Sequence, residues 1–321
     1  MNTLPLSSFA RRLSHLAAVM LMVSVATFLM LELLPGNLAD SLVGENPQPQ
    51  DIARIEAELG LDRPVGERFF KWTANAARGH LGTSPLTGEP ITAAIGQRLP
   101  VSVELMGFSQ LLALALALPL GLLAGYREGS ALDRVLSSVS FGVLAVPHFV
   151  LGILLMLLFA IWLRWLPATG YVPFESDPLG NLRSMLLPSL TLALVEAPVY
   201  LRLLRGDVAS TLREEFITVA RAKGLSDSWI LVRHALRPAS FSLITVMGIN
   251  IGHLIGGAVV IESLFALPGV GRLLIEAITK RDYLMVQGIV LYIAAAFVIV
   301  NLLVDALYAL LDPRLRHGSQ H

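Results

Sequence analysis

The sequence predicts an all-α polytopic membrane protein: about six transmembrane helices, both termini cytoplasmic, and a small helical extracytoplasmic domain between helices 1 and 2. Three observations carry this. Apolar residues make up 55% of the 321 positions and charged residues 15%, with a mean hydropathy of +0.67, whereas an ordinary soluble domain is roughly 45–50% apolar and about 25% charged. Six stretches are long and apolar enough to cross a bilayer, and the lysines and arginines gather on one side of them.

The stretches run in order over Leu13–Leu34, Val101–Gly125, Val135–Leu163, Leu186–Leu204, Phe241–Ile261 and Leu284–Leu311. The first follows Arg11 and Arg12 but exceeds the 7–15 apolar residues of a signal peptide, and no small-residue cleavage pattern follows. It is expected as an uncleaved span. Pro119, Pro188 and Pro198 fall in or near spans, where neighbouring helices re-satisfy the backbone groups a kink frees. Of the 24 basic residues, thirteen flank the spans on one side: Arg11, Arg12, Arg127, Arg134, Arg202, Arg205, Arg213, Arg221, Lys223, Arg233, Arg237, Arg314 and Arg316. The short loops opposite carry Arg164, Arg183, Arg272, Lys280 and Arg281, so the richer side is cytoplasmic.

Three segments are expected: residues 1–34 as the cytoplasmic N-terminus and first helix, 35–100 as an extracytoplasmic cap, and 101–321 as a membrane core with a cytoplasmic loop at 205–238. The cap is too long for a plain connection and carries helix-like patterns at Asp51–Leu59 and Gly66–Ala77. Phe69, Phe70 and Trp72 in the second argue that it is packed rather than disordered.

Catalysis has no visible candidate. A P-loop lysine follows glycine and precedes Ser or Thr; Lys71, Lys223 and Lys280 follow Phe, Ala and Thr. The seven histidines form no His-Glu-x-x-His pair, and no Gly-x-Ser-x-Gly elbow occurs. With no cysteine, thiolate chemistry and disulfides are excluded. A net charge of zero implies no general attraction to nucleic acid.

The longest connection on the cytoplasmic side reads as two short helices joined at glycine. Glu214 and Glu215 complement the dipole at the start of the first; Phe216, Val219, Ala220 and Lys223 follow at helical spacing; Gly224 permits a left-handed end. Ser226 or Asp227 can cap the second, which runs through Trp229, Val232 and Leu236. The small residues Ala220 and Ala222 are expected where a partner's groove approaches.

Ala220-Arg-Ala-Lys-Gly224, Leu231 and His234-Ala-Leu-Arg-Pro238 resemble the cytoplasmic EAA loop of binding-protein-dependent ABC importer permeases, in the dipeptide, oligopeptide and nickel class. The resemblance covers about 280 residues. It includes Leu34-Pro35-Gly36, Leu59-Gly-Leu-Asp-Arg-Pro64, Leu81-Gly-Thr-Ser84, Arg98-Leu-Pro100, Leu166-Pro167 with Gly170, Gly256-Gly-Ala-Val-Val-Ile-Glu262, Phe265 with Pro268-Gly-Val-Gly-Arg272, Arg281-Asp-Tyr283 and Asp312-Pro-Arg314. Thr218 stands where the motif's glutamate would be, and Glu196, Pro198 and Pro238 depart from the pattern.

The resemblance implies a non-catalytic subunit of an importer in the bacterial inner membrane. Its partners are a second permease, two ATPases carrying ATP and Mg, and an extracytoplasmic binding protein that brings a peptide, nickel chelate, opine or metallophore. ATPase-coupling residues carried over are Phe216, Ala220, Arg221, Ala222, Lys223, Gly224, Leu225 and His234. An ion-coupled secondary transporter and a structural scaffold are the rival readings. Ionisable groups inside spans are costly and therefore candidates for function. Glu196 either touches a substrate amine or lines the path, or else pairs with Arg202 or accepts bonds near the Pro198 kink; Asn250, His253 and Gly257 share one face of span five, and Asn301, Asp305 and Tyr308 one face of span six. Glu196, Asn250 and His253 are the candidate path residues; His148 reads as packing, and Gly256 and Gly257 as close-approach points between helices.

Overall fold

A computed structural model describes residues 6–32 and 63–311. Ten helices account for the described residues, which contain no strand beyond the isolated Thr83–Pro90 bridge. They are α1 (Leu6–Glu32), α2 (Val65–Ala77), α3 (Ile91–Tyr126), α4 (Ala131–Leu144), α5 (His148–Trp162), α6 (Pro178–Thr211), α7 (Glu215–Ala222), α8 (Asp227–Leu264), α9 (Val270–Thr279) and α10 (Tyr283–Leu311). Helices α3, α6, α8 and α10 are each long and apolar enough to span a membrane; α4 with α5 makes a fifth if the bent pair is one span. Helix α1 adds an apolar stretch at Leu16–Met30. The chain is therefore a multi-pass membrane protein. The expected helix Asp51–Leu59 and the motifs Leu34-Pro35-Gly36 and Asp312-Pro-Arg314 lie outside the described residues.

The third expected span, Val135–Leu163, is not continuous. Pro147 lacks an N–H and pushes the preceding residue out of the helical region, so α4 stops at Leu144 and α5 starts at His148, bent by 104°. The last part of α5, Met156–Trp162, widens into π-helix and ends at Arg164, whose φ of 56° lies in the left-handed region. The second and fourth spans are longer than their apolar stretches: α3 begins ten residues before Val101, and α6 runs over 34 residues. Backbone hydrogen bonding carries a helix past its apolar part when nothing breaks it.

The chain divides into two compact units, residues 1–100 with 273–299, and residues 101–272 with 300–321. In the first, the Phe28 ring of α1 stands 5.4 Å from Phe69 and 6.0 Å from Trp72 of α2. The expected aromatic packing of this region thus rests on Phe69 and Trp72, while Phe70 is exposed. Ser84, buried, donates its hydroxyl to Asp282, which also accepts the Met285 N–H at 3.1 Å. Two of the scattered motifs, Leu81–Ser84 and Arg281–Tyr283, therefore meet in one hydrogen-bonded joint.

In the second unit α6 is the central helix, the most buried of the spans. Tyr200, Leu201, Leu204 and Val208 pack with Ala113 and Ala117 of α3 and Ala235, Ala239 and Leu243 of α8. Met185, Leu187 and Leu192 join Leu105, Leu254, Ile261, Phe265 and Leu267 in a second cluster. Pro188 and Pro198 sit within α6 without ending it. Close approach between α3 and α6 depends on Gly121 and Gly125. A Cβ on Gly121 would stand 2.8 Å from Leu204 Cβ and 3.1 Å from the Leu201 carbonyl; on Gly125, 2.8 Å from Val208 Cβ and 2.9 Å from the Arg205 carbonyl. Gly256, expected to play this part, faces open space, and Gly257 makes ordinary contact with Leu192. Gly121→Ala and Gly125→Ala are each expected to lower the detergent melting midpoint, by about 1–3 kcal/mol of overpacking strain. Gly256→Ala leaves it in place.

Candidate functional site

The connection from α6 to α8 folds as a braced elbow. Helix α7 opens at Glu214 in extended conformation with Glu215 in its first turn, where negative charge meets the positive helix end. It closes at Gly224, with φ of +81°. The Gly224 N–H donates to the Arg221 carbonyl at 2.9 Å and the Leu225 N–H to the Ala220 carbonyl at 3.3 Å. This pair of reversed bonds is the Schellman ending, completed by apolar contact between Leu225 and the last turn. Ser226 then precedes α8 in extended conformation, without a side-chain capping bond.

Inside the elbow Ile217, Ala220 and Ile230 are buried together, with Leu212 and Leu225 packed on them. Ala220, expected to face a partner, instead holds the two arms together. It is small because the arms meet there. The outward face carries Phe216, Val219, Trp229 and Val232, all exposed. His234 stands edge-on to Trp229 at 4.9 Å and to Phe216 at 6.2 Å, joining the face across the bend. Arg221, Ala222 and Lys223 are exposed beside it. Sequence reasoning placed Trp229 in the second arm but did not name it among the contact residues; its pairing with His234 across a π-helical turn, Ile230–Ala235, follows no regular spacing.

Polar pairs tie the elbow to the turn between α3 and α4. Tyr126 donates its hydroxyl to Asp227 at 2.8 Å, and Arg213 pairs with Glu128. Arg221 lies 3.6 Å from Asp227. Behind them, the buried Asp133 takes a two-pronged pair from Arg205, with Arg205 Nη2 donating at 2.8 Å, and accepts the Gly129 N–H at 2.9 Å. Two planar hydrogen bonds fix an arginine's orientation as well as its position.

Within the spans, the candidate path residues come together. Glu196 of α6 is buried, with Tyr200, Asn250 and His253 as its polar neighbours. Arg202 does not pair with it. Its guanidinium lies over the Phe141 ring, 4.5 Å from the centroid. Tyr200 donates its hydroxyl to Gln110 of α3 at 3.0 Å, a residue no single-helix pattern picks out. His148 sits edge-on to Phe149 at the start of α5. Of the face Asn301, Asp305 and Tyr308, the Asp305 and Tyr308 side chains lie outside the described ones.

A third polar site lies where α8 ends. Glu262 accepts the Ser102 hydroxyl at 2.6 Å and the Arg272 N–H at 3.0 Å, and Ser102 in turn accepts the Val270 N–H at 2.9 Å. The carboxylate so serves the free amides that open α9. Nearby, Tyr171 donates its hydroxyl to Glu104 at 2.8 Å, and burial followed by that carboxylate pushes its phenol up to about 12.

Comparison with known proteins gives the family and the fold. Residues 117–317 match the family model described as binding-protein-dependent transport system inner membrane component, and residues 6–106 match the model of the N-terminal part of such components. A Brucella abortus (strain 2308) protein named as a peptide transport system permease is 42% identical over 311 residues, 96% of this chain and 98% of its own. The glutathione transport system permease of Salmonella choleraesuis is 34% identical over 307 residues, again 96% and 98%. Among solved structures, a chain of the MetNI methionine ABC transporter superposes with a TM-score of 0.57 at 14% identity, over 68% of this chain and 96% of that one. At that identity the likeness is one of fold.

Proposed function

The chain belongs to the family of binding-protein-dependent transport system inner membrane components, and from that premise we propose that the elbow at residues 205–238 is where a separate ATPase docks. The chain is the non-catalytic permease subunit of an ABC importer; ATP is handled by partner ATPases, and an extracytoplasmic binding protein delivers the cargo. Peptides are the cargo class the relatives' names support. In the bacterial inner membrane this chain pairs with a second, homologous permease above two ATPases. Six spans, with α1 and the bent α4–α5 pair each crossing once, put both termini and the elbow on the cytoplasmic side, in keeping with the basic residues there. Residues 1–34 then form the cytoplasmic N-terminus and first helix, 35–100 an extracytoplasmic cap and 101–321 the permease core.

One observation carries the reading: a rigid elbow presents exposed Phe216, Val219, Trp229 and Val232, rimmed by Arg221, Ala222 and Lys223. Aromatic anchors inside a polar rim are the anatomy of a binding interface. Phe216, His234, Arg221, Ala222 and Lys223 supply the contact. Ala220, Gly224 and Leu225 hold its shape. A pull on the elbow reaches α3, α4 and α6 through Asp227, Arg213 and the Asp133–Arg205 pair. Transport is then a rigid-body change in which ATP-driven closure favours one arrangement of the helices over another.

The test is reconstitution. Proteoliposomes holding both permeases and both ATPases are expected to take up peptide only with binding protein and ATP present, and to ignore uncouplers. Uptake that persists without the ATPases and collapses with an uncoupler would instead establish an ion-coupled transporter.

A further inference from the structure

Helix α4 joins the rest of the chain at two places where the backbone leaves helical geometry. It follows the left-handed turn at Gly129, φ +77°, and ends at the Pro147 break, beyond which α5 turns away by 104°. A glycine turn and a proline break are points at which a helix can change direction at little cost, so the place of α4 depends on what it packs against. That neighbour is α6. A helix held in the ordinary way buries an apolar stripe against its partner. Helix α4 does not: its buried residues are Asp133 and Ser140, both polar, while its apolar Val135, Val139 and Phe141 are exposed.

Two arginines of α6 stand in for the stripe. Arg205 holds the buried Asp133 through two hydrogen bonds, and Asp133 also accepts the Gly129 N–H that closes the turn. Arg202 lays its guanidinium over the Phe141 ring. The two arginines are neighbours on one side of α6, yet they reach α4 at points two helical turns apart, about 12 Å along its axis. A paired guanidinium fixes orientation as well as position. With both contacts in place, α4 can neither pivot nor slide on α6.

Helix α6 runs unbroken from Arg205 to Thr211, and Leu212 after it packs inside the elbow. A movement of the elbow therefore arrives at Arg205 with nothing flexible in between. The pairs Tyr126–Asp227 and Arg213–Glu128 also leave the elbow, but they end on the α3 side of Gly129 and reach α4 only across that glycine. We propose that Arg202 and Arg205 are a two-point clip by which the elbow-bearing helix carries α4 with it, and that Asp133 is a positioning residue coupling ATP hydrolysis to cargo movement. This rests on the ATPase-docking reading above. With the clip open, the ATPases still dock and close, α6 still moves, and α4 stays behind.

The full complex in proteoliposomes, given a peptide-loaded binding protein, tests this through the ATP hydrolysed per peptide taken up. Asp133→Asn keeps the side chain's shape and removes its charge. It is expected to leave ATPase copurification and binding-protein-stimulated hydrolysis unchanged while cutting uptake about tenfold, the scale of one charge-assisted hydrogen bond. Asp133→Glu, which can still receive Arg205, should restore most of the ratio, and Arg202→Ala should raise the ATP used per peptide several-fold. A second measurement needs no uncoupled variant. Spin labels on Ser138→Cys of α4 and Ser210→Cys of α6, both exposed positions in a chain with no cysteine of its own, report the separation of the two helices in a complex with cysteine-free partner subunits. That separation is expected to be the same in the nucleotide-free and vanadate-trapped states, and to spread when Asp133→Asn is added. A label distance that shifts between the two states, or an Asp133→Asn complex that uses no more ATP per peptide than the unaltered one, overturns the clip while leaving docking intact. Failure of the unaltered permease to retain the ATPases overturns both.

Discussion

A Gly224→Val chain is expected to lose its ATPase partners on purification, and ATP-driven uptake with them, while its spans remain folded. The reason is conformational. Open space surrounds Gly224, so a larger side chain meets no neighbour. Its φ of +81° is the obstacle, because a left-handed residue with a Cβ costs about 1–2 kcal/mol and a β-branched one more. Relief of that strain means giving up the two reversed hydrogen bonds to Arg221 and Ala220 and the Leu225 contact behind them. The arms then splay, and Phe216 no longer shares a face with Trp229 and His234. Gly224→Asn, which tolerates the left-handed region, should retain most of the association, and Gly224→Ala should fall between. Copurification of tagged permease with the ATPases, alongside the melting midpoint of the permease alone, measures both halves. Should the valine variant keep its partners, the Gly224 turn does not shape the docking face.

Glu262→Ala is the second large effect, and it appears in stability. The carboxylate is fully buried and serves Ser102 and the Arg272 amide, while Ser102 serves Val270. Removing it leaves a buried hydroxyl and a helix-opening amide without a partner, at about 1–3 kcal/mol each. A total loss of about 2–6 kcal/mol is expected, read as a lower apparent melting midpoint at fixed heating rate in detergent. Glu262→Gln keeps an accepting oxygen for Ser102 and should forfeit less than half of that. Gly271 is bound into the same box: a Cβ there would lie 3.0 Å from Glu262 Oε2 and against the α8 backbone. An unchanged midpoint in the alanine variant would mean that water or backbone rearrangement replaces the carboxylate.

Much of the membrane architecture was legible because hydrocarbon imposes length and apolarity on each span separately. Where the reading missed, the deciding force was not local. Pro147 lay between two apolar stretches that composition joins into one, and whether a proline kinks or breaks a helix depends on what packs around it. Gly256 and Gly121 are alike in a one-dimensional pattern, yet only Gly121 has a neighbouring helix against it. Ala220 has a contact-residue sequence and a core residue's burial.

By itself, then, the sequence determined that the chain crosses a membrane several times, that it holds no P-loop motif, the left-handed turn at Gly224 and the family, since each depends on composition, single-residue stereochemistry or short ordered motifs. Only the tertiary structure decided which polar groups meet: Tyr200 with Gln110, Glu262 with Ser102, Ser84 with Asp282, and Trp229 with His234. The first three meetings join residues far apart in the chain, and the last depends on a π-turn that breaks the regular helical repeat. Hydrogen bonds act over about 3 Å, so their partners are set by where packed helices bring side chains rather than by any spacing along the chain.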